Sequence, residues 1–275
     1  MKNKENKLPH LLLLIVGAIL ILVPIYLTVV SSFKDTPQIM QHFFSLPKPF
    51  TMENYTRLIE DGIGKYFLNS VIISVVSIIM IILVVPMAAF SIARNIGRKT
   101  AFTIMYSLLI LGIFVPFQVI MLPITNQMTA MGLMNLPGLM LLYLTYAIPQ
   151  TLFLYVGYIK LSIPESLDEA AEIDGANKMT MFIKVAFPLM KPMHATTLIL
   201  NALWIWNDFL LPLLILNRDD SFWTLPLFQY NYQGQYMGDF GPSFASYIIG
   251  IVTITIVYLF FQKSIISGMS NGAVK

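Results

Sequence analysis

Residues 67–93 read FLNSVIISVVSIIMIILVVPMAAFSIA, a run without one charged side chain. At 1.5 Å per residue a helix of this length spans about 40 Å, more than the ~30 Å hydrocarbon core of a bilayer. A lone strand in lipid would leave its backbone N–H and C=O groups unpaired, so the run is read as a transmembrane helix. The rest of the chain agrees. Of 275 residues, 57% are hydrophobic and 11% charged, against about 25% charged in ordinary soluble domains. A single soluble core could not bury that much apolar surface, so the natural solvent is lipid.

Five further apolar runs lie at about 10–31, 102–124, 138–159, 194–216 and 244–263. The expected fold is therefore all-α, a polytopic membrane protein of six transmembrane helices. Pro24, Pro86, Pro116, Pro149 and Pro212 lie within or at the edges of these runs. Neighbouring helices and water can satisfy the carbonyls that proline frees in a membrane bundle. The first run is too long for a signal peptide, and no small-residue cleavage site follows it, so it is read as a retained anchor.

Lysine and arginine set the orientation. Six spans put both termini on one side. That side carries Lys2, Lys4, Lys7, Arg94, Arg98, Lys99, Lys160, Lys178, Lys184, Lys191, Lys263 and Lys275. The other carries only Lys34, Lys48, Arg57, Lys65 and Arg218. Both termini are expected in the cytoplasm. Tyr26, Tyr66, Trp223, Tyr230, Tyr232 and Tyr236 then fall near the outer interface, where an aromatic belt belongs.

The chain has no cysteine, which excludes disulfides and thiolate metal sites. His10, His42 and His194 are too few for a histidine cluster, so no metal site is expected. A net charge of +3 gives no reason to expect a nucleic-acid partner. Of the outer loops, 32–66 reads as ordered. The tract 225–240 fits either a short interfacial helix or a re-entrant scoop.

The longest inner loop, residues 160–193, reads KLSIPESLDEAAEIDGANKMTMFIKVAFPLMKPM. Ser162 with Glu165, and Ser166 with Glu169, fit capping boxes. Pro164 suits a first turn, and Glu165, Asp168 and Glu169 fall where the helix dipole favours acids. Gly175 can take a left-handed conformation and stop the helix. A second helical stretch is expected from about Asn177 to Phe187, ending at Pro188. Two readings of the first helix stand side by side. It is a solvated, capped surface helix, or a docking element whose small Ala170-Ala171 step admits a partner's backbone beside acidic side chains.

Glu169-Ala170-Ala171, then Asp174-Gly175-Ala176, then Phe182, Pro188 and Pro192, resemble the EAA loop of binding-protein-dependent ABC importer permeases. That family's longer pattern has leucine before the proline, where this chain has Phe187. Asn69-Ser70, the stretch Ala88 to Arg94, and Pro116-Phe117-Gln118 through Pro123 are also similar to the family. Trp206-Asn207-Asp208-Phe209 and the tail Gly268 to Lys275 resemble its carbohydrate-uptake branch, where the chain is most like the smaller, MalG-like permease of a pair. The resemblance implies a type I importer fold with a core at 67–265. An N-terminal helix and external loop would occupy 1–66, and a cytoplasmic tail 266–275. It also implies a second, MalF-like permease, two ABC ATPase subunits and an extracytoplasmic solute-binding protein. Glu169, Ala170, Ala171, Asp174, Gly175, Ala176, Phe182 and Pro188 would then form the ATPase-coupling loop.

A P-loop requires G-x-x-x-x-G-K-[ST]. The only Gly-Lys pair, Gly64-Lys65, is followed by Tyr66 and lacks the upstream glycine. No cofactor is expected on this chain, and ATP and Mg would be bound by the partner ATPase subunits. An ion-coupled carrier would carry ionisable groups in its spans; here Asp208 is the main one. Gln118, Trp204, Asn207 and Asp208 are candidates for a substrate path, since sugars are recognised by planar polar groups and aromatic faces. The other reading of such polar residues, with Asn126, Gln150 and Asn201, is hydrogen-bonding glue between helices. Trp204 and Trp206 point to different faces of one helix. The expected function is a non-enzymatic permease subunit of a sugar importer. The alternatives are a permease for another solute such as glycerol phosphate, an ion-coupled carrier, and a non-transporting scaffold.

Overall fold

The computed structural model describes residues 7–233 and 238–273. Lys2, Lys4, Tyr236 and Lys275, named above, lie outside the described residues, as do the side chains of Lys7, Lys263 and the tail from Gly268. Among the described residues there are helices and turns and no strand. The helices are α1 Lys7–Ser31, α2 Thr36–Gln41, α3 Glu53–Glu60, α4 Ile63–Asn95, α5 Thr100–Leu111, α6 Phe117–Ala130 and α7 Leu136–Ser162. There follow α8 Ser166–Ile173, α9 Lys178–Met181, α10 Phe187–Leu189, α11 Lys191–Asn207, α12 Leu210–Leu216, α13 Leu225–Gln229 and α14 Phe240–Ala273.

Among the described residues four helices are long and apolar enough to cross a bilayer, over Pro9–Ser31, Ile63–Asn95, Leu136–Ser162 and Phe240–Phe260. Two bent pairs bring the number to six if each is one span. These pairs correct the continuous runs 102–124 and 194–216. The first breaks by 106° between Phe114 and Phe117, the second by 59° between Asn207 and Leu210. At the first break the proline ring of Pro116 holds Val115 in an extended conformation, φ −83°, ψ 110°. Pro24, Pro86 and Pro149 instead lie inside unbroken helices.

The chain divides into two compact units. One takes the described residues up to Tyr66 and those of Leu227–Thr253. Here Lys34 is fully buried, and its ammonium donates to the carbonyls of His42 and Phe43 at 2.9 Å each. The amide of buried Asn54 donates to the carbonyls of Ser32 and Lys34 at 2.9 and 2.7 Å. Arg57 pairs with Asp239, whose other carboxylate oxygen accepts from Thr36 Oγ1 at 2.9 Å. The Tyr232 hydroxyl donates to Asp61. The 32–66 stretch is thus ordered around polar pins, with α2 and α3 inside it.

The second unit comprises Phe67–Pro226 and the described residues from Ile254. Its core is centred on α7, which packs against α5, α11 and α12 and buries Leu139, Tyr143, Leu152, Tyr155 and Ile159. Asn69 Nδ2 donates to the carbonyls of Ser221 and Trp223 at 3.0 Å each, and Ser70 Oγ accepts the Leu225 N–H at 2.7 Å. Asn69 and Ser70 therefore tie 221–225 to α4. Beyond it, 225–233 is helical, α13 followed by a tight turn over Tyr230–Gln233.

Candidate functional site

The loop between α7 and α11 is built around α8. Its C-terminus is a Schellman motif: the Ala176 N–H donates to the Ala171 carbonyl at 2.9 Å and the Gly175 N–H to the Glu172 carbonyl at 3.0 Å. The motif needs a left-handed residue, and Gly175 supplies it at φ +79°.

The helix start differs from the expected capping boxes. Ser162 is the last residue of α7 and Ser166 the first of α8, so neither serine occupies a cap position. Glu165 holds the N-cap without a side-chain cap bond. The acids turn sideways to a second helix instead. Arg94, in the last turn of α4, donates from Nε to Asp168 Oδ2 at 2.6 Å and from Nη2 to Oδ1 at 3.0 Å. Its Nη1 donates to the carbonyl of Ile163, the C-cap of α7, at 3.0 Å. The guanidinium also sits 5.2 Å from the Phe90 ring centroid. Arg98 pairs with Glu165 one turn further on, but that pair is largely exposed and contributes little.

After the corner, Asn177 caps α9 by accepting the Thr180 N–H at 2.8 Å. The helix then widens into a π turn over Phe182–Ala186 and continues through Pro188 to Leu189, past the expected stop at Pro188. A row of rings runs beneath the loop: Phe90 to Phe182 at 5.7 Å, Phe182 to Phe187 at 5.7 Å, and Phe187 to His194 at 4.3 Å. His194 Nε2 faces the Phe187 carbonyl at 3.0 Å, an acceptor only, so Nε2 carries the proton. Its Nδ1 then accepts the Tyr155 hydroxyl at 2.6 Å. His194 thus joins α11, α7 and the loop.

Of the loop residues marked in the sequence, Ala171 and Phe182 are buried, and Glu169, Ala170, Asp174 and Pro188 are exposed. Exposed Ile173, at 86%, was not singled out; an apolar side chain among acids was the available signal. In the sequence Arg94 counts only towards the inner-side charge and a family-like stretch, because nothing local marks its partner 74 positions away. A cavity of about 430 Å³ opens between the end of α4 and the loop, with Met87, Phe90 and Phe182 against Glu169, Glu172 and Lys178.

The substrate-path candidates divide. Asp208 sits at the α11–α12 break, where its Oδ1 accepts the Leu210 N–H at 3.1 Å and its Oδ2 the Tyr143 hydroxyl at 3.0 Å. Trp204 packs edge-on against Tyr143 at 5.4 Å. Asn207 is exposed and donates to the Leu203 carbonyl of its own helix at 2.7 Å. Gln118 stands exposed in the first turn of α6, apart from these hydrogen bonds. Trp206 is buried against Phe67 while Trp204 is 38% exposed, in keeping with opposite faces. Among the described residues no group of three or more His, Cys, Asp or Glu could hold a metal ion.

The described residues thus form a helical, multi-pass protein with two bent helix pairs and a capped helix, α8, braced to the end of α4. Residues 85–271 match the family described as binding-protein-dependent transport system inner membrane component, and the chain belongs to that family. It is 68% identical over 276 residues to the multiple sugar-binding transport system permease protein MsmG of Streptococcus mutans, covering 99% of this chain and 100% of that one. It is 36% identical to the diacetylchitobiose uptake system permease protein NgcG of Streptomyces coelicolor, covering 96% and 87%. A chain in the crystal structure of a bacterial ABC transporter involved in the import of alginate superposes with a TM-score of 0.83 over 96% of this chain and 98% of that one. At 21% identity that likeness shows the fold alone.

Proposed function

We propose that this chain is one of two permease subunits of an ATP-driven sugar importer in a bacterial cell membrane, with both termini in the cytoplasm. Uptake of mono- or oligosaccharides is favoured by the sugar-transport roles of its relatives, above all the permease it matches at 68% over its whole length. The loop 160–193 is then cytoplasmic and docks a separate ATPase. The observation that carries this reading is α8, which is capped by Gly175, braced by Arg94, and presents Ile173 at 86% exposure beside exposed Glu169, Glu172 and Asp174. An exposed isoleucine among carboxylates suits a partner with an apolar pocket rimmed by basic residues. ATP-driven closure of the partner subunits would push on α8 and switch the shared cavity between inward and outward access.

The ion-coupled alternative is disfavoured by Asp208. Both of its carboxylate oxygens hold Tyr143 and the first turn of α12 in place, which suits a structural pin rather than a proton relay. Trp204, Asn207 and Gln118 remain the proposed contacts of this chain with the sugar path.

The test is transport in proteoliposomes containing both permeases, the ATPase subunits and the binding protein. Sugar uptake that requires ATP and the binding protein is expected. Uptake driven by an ion gradient without ATP would overturn the proposal.

A further inference from the structure

We infer that Arg94 is the positioning residue that makes α8 and α4 a single lever, so that force received by the loop enters the bundle through α4. The inference rests on the coupling-loop reading above and assigns its route. Along the chain, α8 is joined to α7 only through residues 163–165 and to α11 only past the Gly175 corner. A push on α8 could be absorbed by turning at either junction. The Arg94 guanidinium removes that freedom. Its two parallel bonds to Asp168 resist rotation as well as displacement, which a point charge would not. Its third donor fixes the Ile163 carbonyl at the α7–α8 junction. The pair is 12% and 20% exposed, so salt screens it far less than the neighbouring Arg98–Glu165 pair. From Arg94, α4 runs unbroken back to Ile63. The Phe90–Phe182–Phe187 row touches the same end of α4, but rings in contact can slide where a fork cannot.

The test uses the complete reconstituted importer. Retention of the ATPase subunits, their basal ATP hydrolysis and its stimulation by sugar-loaded binding protein are measured together. Arg94→Lys keeps the charge and loses the fork. It is expected to retain the ATPase subunits and their basal hydrolysis while stimulation falls about tenfold, within the range usual for coupling between sites. Arg94→Asp combined with Asp168→Arg is expected to recover part of the stimulation. Full stimulation in Arg94→Lys overturns the inference. So does loss of assembly that the exchanged pair fails to restore, because Arg94 would then serve folding alone.

A second arm uses the absence of cysteine. In Arg94→Cys with Asp168→Cys, bridging by a bifunctional thiol reagent of the fork's length is expected to raise stimulation in the same sample. No difference between bridged and unbridged complex overturns the inference. An unsubstituted chain that never retains an ATPase defeats the coupling-loop reading itself, a distinct outcome.

Discussion

Tyr143 donates a 3.0 Å hydrogen bond to Asp208 at the point where α11 gives way to α12. The other oxygen of the same carboxylate accepts the N–H of Leu210, the first residue of α12, at 3.1 Å. One aspartate thus closes a helix break and fastens it to α7. Asp208→Ala should cost about 1–3 kcal/mol, because it removes two hydrogen bonds and strands the buried Tyr143 hydroxyl. Asp208→Asn retains an acceptor and should cost less. Thermal unfolding of the detergent-purified chain measures both. An Asp208→Ala chain that melts as the unsubstituted chain does while transport is lost would place Asp208 in sugar contact instead.

Gly175 stands at φ +79°, with nothing within 4 Å of the position a Cβ would take. The cost of a side chain there is backbone strain alone, about 1–2 kcal/mol for ordinary residues and less for asparagine. Gly175→Val should therefore impair stimulated ATP hydrolysis in the assembled complex, and Gly175→Asn should retain most of it. Equal behaviour of the two variants would show that the left-handed corner is dispensable.

How much of this was legible in the sequence depended on the range of the signal. The six apolar runs were plain because lipid demands about twenty apolar residues in each helix. The Gly175 corner was plain because few residues other than glycine accept that conformation readily. The break at Pro116 was not, because Pro24, Pro86 and Pro149 look the same in sequence and lie inside continuous helices. The capping boxes expected at Ser162 and Ser166 do not form because α7 runs on through Ser162 and α8 begins at Ser166, with Glu165 at its N-cap. The Arg94 fork was invisible because nothing local links positions 94 and 168.

Gly138 is the third residue of α7, and a Cβ there would overlap the Leu133 carbonyl and crowd the Met128 side chain. The obstacle includes backbone, so it cannot swing aside. Gly138→Ala should destabilise the chain by about 1–3 kcal/mol, the usual cost of overpacking. Thermal unfolding checks this; an unchanged midpoint would mean that the turn before α7 relaxes freely.

Lys34 is buried with two carbonyl acceptors, and burial pushes its ammonium below the ordinary value of 10.5. Lys34→Met should cost about 1–3 kcal/mol by leaving those carbonyls unpaired. A base whose folded value is lowered penalises the fold while charged, and the penalty lifts as pH rises through that value towards 10.5. The unsubstituted chain should therefore gain stability on this alkaline limb relative to Lys34→Met. A stability difference that stays flat with pH would contradict the assigned cause.

The most direct test of the account is a cross-link from the exposed end of α8. In this cysteine-free chain, Ile173→Cys offers a single thiol. Treatment of the assembled complex with a short heterobifunctional reagent is predicted to join that position to an ATPase subunit, in a yield that changes when ATP is bound. Labelling of the same position in intact cells by a membrane-impermeant thiol reagent would contradict the account, because α8 would then face the outside.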